Sequence, residues 1–357
     1  MKLDDLCIIN GEYKLLYILG RGAYGTVYKA VKIDNKEPKM TSNREDINNL
    51  DYNLRSNNKY ISKKEYTYEL SIPKYYAIKV FDKKLTNKGI HPSILREIGL
   101  LKELHEYNFD GIIRLEQIVV CDQRICAVYE YGGSTLQSYI EKNANNLNLI
   151  DGIYISYQII KSVNFLHSIG IVHRDLKPEN ILFNENTKIV KIADFGLART
   201  IRNNNNINFT VDVATLYYKP PELLSFNTNN KLICPYAVDC WTIGVVILEL
   251  FTILCKNSKN KSYLSYNTRS SLSKANTNTW LPIFFGGNEV AVCNEIYKLL
   301  NISCQFHILK DTLKPLKERF PDIFNLIFQL LQIEPKERCN CEYAKFVVEK
   351  IINNLTS

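Results

Sequence analysis

Between His173 and Asn180 the chain gathers a carboxylate, an ammonium and an amide within one short stretch, His173-Arg174-Asp175-Leu176-Lys177-Pro178-Glu179-Asn180. A second carboxylate follows in Asp194-Phe195-Gly196. Asp175 is suited to accept or orient the proton of an attacking hydroxyl, and Lys177 to oppose negative charge developing beside it. Asn180 and Asp194 offer hard oxygen donors of the kind magnesium takes. Upstream, Ala77-Ile78-Lys79 puts a lysine on a strand, and Glu97 lies on a helix suited to holding that ammonium. Gly20-Arg21-Gly22-Ala23-Tyr24-Gly25 is a G-x-G-x-x-G loop whose bare backbone lets N–H groups approach phosphate oxygens. A dinucleotide-binding turn needs a helix straight after the glycines, whereas Thr26-Val27-Tyr28-Lys29-Ala30 continues as strand, which favours a flap over the phosphates of ATP. In this order the parts suit phosphoryl transfer, where charge spread over the oxygens of a loose transition state must be met by metal and cations.

The elements that must hold these residues are legible in outline. Tyr13 to Lys29 reads as strand, glycine turn, strand, and a further strand begins at Tyr75-Tyr76-Ala77. Between them, residues from about 32 to 74 are rich in Asn, Lys, Ser and Asp without apolar periodicity, an inserted surface loop. Ile94, Leu95, Ile98, Leu101 and Leu104 are spaced for one face of a helix over Pro92 to Leu104. Beyond Gly132 and Gly133 the pattern turns helical, including Tyr154 to Ser168 and an apolar run from Trp241 to Cys255. Asn203 to Asn206, Asn227 to Asn230 and the polar stretch at about 256–279 read as loop insertions.

Composition narrows the class. With 357 residues and 46% of them hydrophobic, the chain can bury one large core or two smaller ones. The apolar run is shorter than a bilayer span and contains Glu249, so a buried helix is expected and no membrane partner. Met1 to Asn10 reads as neither a secretory signal nor a lipidation site, which leads to the expectation of an intracellular protein of nucleus or cytoplasm. Ten cysteines are then expected as reduced thiols. Cys339 and Cys341 suggest a metal pair, but the neighbouring sequence offers no second Cys/His pair, so packing or surface thiols are expected. The net charge of +8 suits acidic partners or solvated surface alike, and no basic helix interleaved with aromatic residues points to direct nucleic-acid binding.

From about Tyr13 to Phe346 these motifs resemble the protein kinase family, and within it the cyclin-dependent kinases. His91-Pro92-Ser93-Ile94-Leu95-Arg96-Glu97-Ile98 is similar to their cyclin-contacting helix, and Lys191 to Arg199 and Ala237-Val238-Asp239-Cys240-Trp241 to other signatures. The resemblance implies an α+β, bilobal protein kinase fold, with a small β-rich N-terminal lobe over 1–131 and a larger α-helical C-terminal lobe over 132–350, the activation segment running over 194–222. It implies ATP and Mg2+, protein substrates phosphorylated on serine or threonine, and a cyclin-like activating subunit. Leu19, Gly20, Gly22, Gly25 and Lys79 would bind ATP, Glu130 and Gly132 would offer backbone hydrogen bonds to adenine, Tyr129 would be the gatekeeper, and Val27, Ala77 and Leu182 would pack on the ring faces. Thr215 would support Asp175 and Lys177, Asp239 would brace the catalytic loop, and Glu222 would pair with Arg338.

Regulation is implied in the same way. Thr210, five residues before Thr215, would be an activating phosphorylation site toward which Arg96, Arg174 and Arg199 converge, and Tyr24 an inhibitory one. The sequence departs from the subfamily at Ala23, where a second inhibitory threonine is usual, at Lys219, where arginine is usual, and over Asn301 to Phe320, which is short and dissimilar. Lysine lacks the planar fork of arginine, which weakens the inference of a proline-directed substrate. Two other readings stand beside this one: a pseudokinase scaffold, disfavoured by the intact Lys79, Asp175, Asn180 and Asp194, and a mitogen-activated-type kinase of the same wider group.

Overall fold

The computed structural model describes residues 8–22, 25–33, 74–84, 90–201, 215–224, 234–257, 282–300 and 309–356. Ala23, Tyr24, Thr210, both Asn-rich patches, nearly all of the insertion expected over about 32–74 and most of the one over about 256–279 lie outside them. Lys32, placed in that first insertion by its sequence, is the last residue of a strand. The chain divides into two compact units, Met1–Lys84 with Ile118–Tyr131, and Leu85–Gln117 with Gly132–Ser357.

The first unit is built on an antiparallel sheet. Its strands are β1 (Ile8–Ile9), β2 (Tyr13–Gly22), β3 (Gly25–Lys32), β4 (Tyr75–Lys84), β5 (Leu115–Cys121) and β6 (Arg124–Glu130), in the spatial order β1-β2-β3-β4-β6-β5. Alternation along β4 decides which face is core: Tyr76, Ile78 and Val80 are buried, whereas Tyr75, Ala77 and Lys79 are only partly covered. The buried set packs with Ile9, Tyr13, Ala30, Val119, Cys126 and Val128, and the rings of Tyr13 and Tyr76 meet edge to face at 5.3 Å.

The second unit is mostly helical. It contains α1 (Pro92–His105), α2 (Leu136–Asn143), α3 (Leu149–Ser168), α4 (Pro221–Leu224), α5 (Pro235–Asn257), α6 (Glu289–Leu300), α7 (Lys314–Arg319), α8 (Pro321–Leu330) and α9 (Cys341–Thr356). Short strands β7 (Ser134–Thr135), β8 (Ile171–Val172), β9 (Ile181–Asn184), β10 (Ile189–Ile192) and β11 (Arg199–Thr200) form small ladders among them, β10-β9-β7 and β11-β8. Helix α3 starts on a reciprocal cap, the Asn148 side chain accepting from the N–H groups of Ile150 and Asp151 while Asp151 accepts from that of Asn148. Helix α5 is long and apolar enough to cross a membrane by length and composition, yet that stretch is wholly buried within the fold. Of its two acidic residues, Glu249 is 2% exposed and accepts hydrogen bonds from the Tyr218 hydroxyl at 3.0 Å and the Ile283 N–H at 2.9 Å, which is how a polar group is accommodated there.

The expected pairing of Glu222 with Arg338 is present. Both guanidinium Nη atoms reach the carboxylate at 2.6 Å, and the remaining donors go to the carbonyls of Gln332, Ala237 and Ile333. The guanidinium also lies 4.9 Å from the centre of the Trp241 ring, and all five of its N–H donors are engaged. Removing only the carboxylate, as in Glu222→Ala, leaves a buried cation uncompensated and is expected to cost about 3–5 kcal/mol. Denaturant unfolding checks this, and a loss under about 1 kcal/mol, the range of an exposed pair, would contradict it.

Candidate active site

The residues singled out from sequence fall in both units, and each group takes its geometry from its own unit. In the first, strand register does the positioning. Val27 pairs with Lys79 across β3 and β4, and Ala77 and Lys79 pair with Tyr129 and Ala127 across β4 and β6. Residues paired across a sheet share a face, so Val27, Ala77, Lys79 and Tyr129 lie together on the face opposite the core residues Ile78 and Val80. Glu130 pairs with core-facing Tyr76, so its side chain belongs to the other face. The glycine hairpin is closed by Gly20 opposite Val27 and Gly22 opposite Gly25, with Leu19 just before on β2. A Cβ on Gly25 would collide with the Val80 carbonyl oxygen, so that glycine is fixed by close approach of β4, whereas a Cβ on Gly20 or Gly22 would meet no atom within 4 Å.

In the second unit the organiser is Asp239, fully buried on α5. Its carboxylate accepts from the backbone N–H groups of His173 and Arg174 at 2.8 Å each and from His167 Nε2 at 3.1 Å. Burial pushes its pKa up, but the His167 hydrogen bond, the neighbouring imidazoles and the Arg174 N–H outweigh it and hold the carboxyl below the ordinary carboxylate value. Arg174 needs this support because its φ of 73° is left-handed, which costs a non-glycine residue about 1–3 kcal/mol. Beyond it the loop is fixed by His173. Its Nδ1 accepts from Asp175 N at 3.3 Å, its Nε2–H donates to the Ala193 carbonyl at 3.1 Å, and its ring meets Phe195 edge to face at 4.9 Å. One imidazole thus ties the Asp175 stretch to the Asp194 stretch.

Asp175 is the centre of a four-residue network. Oδ1 accepts from Thr215 Oγ1 at 3.0 Å, and Oδ2 accepts from Lys177 Nζ at 2.9 Å and Asn180 Nδ2 at 3.0 Å. Lys177 Nζ donates to Thr215 Oγ1 as well, at 2.9 Å, and Asn180 Nδ2 also reaches the Asp175 carbonyl at 2.8 Å. Both amide hydrogens of Asn180 are therefore spent on Asp175, which leaves its side-chain oxygen for a cation. Asp194 sits in a left-handed conformation, φ 62°, at the head of the short turn Phe195–Leu197. A Cβ on Gly196 would come 3.5 Å from an Asp194 carboxylate oxygen and 3.9 Å from one of Glu97, so this turn brings both acidic groups near one backbone position. Gly132 lies against Leu182, whose Cδ1 would be 2.8 Å from an added Cβ.

Three arginines gather here. Arg96, on α1, donates to the Gly196 carbonyl at 2.7 Å, and Arg199 donates to the Ala198 carbonyl at 3.0 Å. Burial foremost, then the charge of Arg199 and more weakly that of Arg96, lowers the pKa of Arg174 to about 10 against the pull of Asp239. Burial and the charge of Arg96 likewise lower Arg199. Lys219, at the position of the usual arginine, is 5% exposed and donates to Glu289 at 2.8 Å.

Residues 66–347 match the family described as the protein kinase domain. The chain belongs to the protein kinase family. Among curated relatives this kinase is 30% identical over 252 residues to mouse and human "Cyclin-dependent kinase-like 5", an alignment covering 70% of the chain but 22% and 21% of those proteins. It is 32% identical over 239 residues to "Cell division control protein 2 homolog 3" of Trypanosoma brucei brucei, covering 67% of the chain and 62% of that protein. The kinase thus spans about a fifth of the first two relatives and about three fifths of the third. The family match begins after the glycine hairpin, and the sheet explains how the hairpin still belongs: residues 33–74 separate β3 from β4 in sequence, but the two strands are paired from Gly25 opposite Phe81 to Val31 opposite Tyr75.

His167 was not legible as part of this assembly, because a histidine near the end of a helical stretch carries no distinguishing signal; only the fold brings it to Asp239. The pH dependence of stability tests the role of that buried carboxylate. A group whose folded pKa is depressed contributes stability that is complete above its unfolded value, about 3.9, and lost as pH falls through the folded value. The stability gap between this kinase and its Asp239→Asn variant is therefore expected to be widest near neutral pH and to close on acidification below about pH 4. Denaturant unfolding as a function of pH measures it, and a gap independent of pH would refute the ionised, hydrogen-bonded carboxylate.

Proposed function

We propose that this kinase transfers the γ-phosphoryl group of ATP to serine or threonine hydroxyls of other proteins, in the manner of the cyclin-dependent kinases, in the nucleus or cytoplasm. The observation that carries the reading is the network in which Lys177, Asn180 and Thr215 together fix the Asp175 carboxylate. Asp175 accepts the proton of the substrate hydroxyl, and its fixed orientation removes the cost of arranging it during reaction. Lys177 places positive charge beside that carboxylate, where negative charge develops on the transferred group. On the first unit's sheet face, Lys79 would supply charge to the α- and β-phosphates, Gly20, Gly22 and Gly25 would cover the phosphates, and Leu19, Val27, Ala77 and Tyr129 would lie along the adenine, with the Glu130 backbone offering it a hydrogen bond. Asn180, through the oxygen its amide leaves over, and Asp194 would hold Mg2+, which when bound supplies charge neutralisation to the phosphates.

Transfer of labelled phosphate from ATP to serine, threonine and tyrosine peptides tests this directly. Asp175→Asn is expected to lower turnover by about 10²–10⁴-fold, and Asp194→Asn and Lys79→Met nearly to abolish it while leaving unfolding temperatures close to wild type. ATP binding without transfer by the unaltered, activated chain would establish a pseudokinase scaffold instead, and label on tyrosine alone would overturn the hydroxyl specificity.

Control is proposed to run through Thr210 and a cyclin-like subunit. Arg96 and Arg199 are close enough to Arg174 to lower its basicity, and a phosphate on Thr210 would bring nearly two negative charges and strong acceptors to this positive cluster. Those arginines come from α1, from the residue before Asp175 and from the segment after Asp194, so a single phosphate would join all three. On α1, Ile94, Leu100, Leu101 and Leu104 are buried by the chain itself, which leaves Leu95, 54% exposed, and the half-buried Ile98 as the apolar surface for a partner. His91 caps that helix, its Nδ1 accepting from Ser93 N at 3.3 Å, so the departure from the usual residue does not unwind it. Exposure to an activating kinase is expected to raise the activity of the wild type but not of Thr210→Ala, and a cyclin from the same organism to raise it further. Equal activity of both proteins would exclude the switch, and full activity alone, unchanged by every cyclin, would exclude the partner.

A further inference from the structure

Cys240 and Cys341 are 101 residues apart in sequence, but their sulfurs lie 3.6 Å apart, 2% and 1% exposed. A nitrogen of His167 completes a cluster in which all three donor atoms fall within 4.8 Å of one another. Each comes from a different helix: His167 from the last turn of α3, Cys240 from the first turns of α5 and Cys341 from the start of α9. The sequence showed only Cys339 and Cys341, with no partners nearby; the fold supplies the partners.

The spacing and chemistry suit one class of ligand. In a tetrahedron with metal–sulfur bonds of about 2.3 Å, two thiolate sulfurs stand roughly 3.8 Å apart, close to the separation observed. Two soft sulfurs and an imidazole select zinc over magnesium or calcium, which take oxygen. Two thiolates and one divalent cation sum to zero charge, which a buried position tolerates. With Nε2–H donating to Asp239 at 3.1 Å, the neutral ring keeps its lone pair on Nδ1, and a carboxylate behind a metal-bound imidazole fixes both tautomer and ring plane.

We propose that His167, Cys240 and Cys341 bind a divalent zinc-class cation that ties α3, α5 and α9 together beside Asp239. These three side chains supply three of the four positions that a tetrahedral zinc-class cation takes. Binding replaces the two thiol protons of Cys240 and Cys341 with metal–sulfur bonds and releases those protons to solvent. No electrons are exchanged. The cation acts on structure rather than on phosphate, and it reaches the catalytic loop only through His167 and Asp239.

Cobalt is the probe, because its thiolate complexes absorb in the near ultraviolet and its tetrahedral complexes in the visible. The full chain, stripped with a chelator, is expected to take up one equivalent of Co2+ with both bands, to release protons as it does so, and to gain thermal stability when Zn2+ replaces the cobalt. Cys240→Ser and Cys341→Ser are each expected to remove the thiolate band and to weaken binding by more than the roughly 10- to 100-fold that loss of an outer-sphere partner costs. Cys121→Ser, on the sheet of the first unit, is expected to leave all of this unchanged. Absence of the thiolate band from the wild type, or its persistence in both cluster variants, would overturn the proposal. If a serine variant fails to fold by circular dichroism, X-ray absorption at the cobalt edge of the wild type decides: sulfur neighbours support the site, and oxygen and nitrogen neighbours alone overturn it.

Discussion

The second unit hangs on one buried carboxylate. Asp239 receives two backbone N–H groups and one imidazole within 3.1 Å, and those donors are what make a fully buried charge tolerable. In return they hold His173 and Arg174 in a backbone conformation that Arg174 would not otherwise keep. From there the chain of dependence is short. His173 aligns the N–H of Asp175 and the carbonyl of Ala193, and Asp175 is then met by Lys177, Asn180 and Thr215. An uncharged residue at 239 would weaken not one contact but the geometry of every group downstream.

The first unit reaches its own precision by a different physical route. Among its described residues strand register does the positioning, assigning Val27, Ala77, Lys79 and Tyr129 to one face and the apolar core to the other. Because side chains alternate with a period of two, a slip of a single residue between β3 and β4 would exchange Lys79 for Ile78 or Val80. The collision awaiting any side chain at Gly25 guards that register, since only glycine lets β3 lie so close to Val80. Thus the glycine least exposed to a ligand is the one packing requires.

Much of this was legible in the sequence, for reasons that particular residues make plain. Local periodicity marked the helix after Pro92 almost to its end, and found the strand at Tyr75 and the buried helix around Trp241, though these run on to Lys84 and begin at Pro235. Clusters of unlike functional groups at short spacing marked Asp175, Lys177, Asn180 and Asp194, whose side chains or backbones the fold then ties together. Local pattern could not show long-range contacts: the resemblance supplied the Glu222–Arg338 pairing and the bracing by Asp239, and others went unread. His167 gives no local signal, Cys240 meets Cys341 across 101 residues, and the pairing of β3 with β4 spans an insertion without periodicity. Contacts of that kind depend on which helices and strands become neighbours, and no window along a single chain contains that information.

The arginines show how a fold can store a preference for a ligand. Burial first, and neighbouring positive charge after it, lower the basicity of Arg174 and Arg199. Asp239, which also accepts from the N–H groups of His173 and Arg174 and from His167, opposes this for Arg174. On the reading proposed above, an anion reaching these arginines would gain hydrogen bonds from them and offset their mutual repulsion. Since Arg96 rides on α1 and holds the Gly196 carbonyl, and Arg174 adjoins Asp175, any such anion acts at once on the helix, on the turn after Asp194 and on the catalytic loop. Coupling of this kind needs no pathway of intermediate residues; it needs only that one charge be shared by elements that otherwise repel.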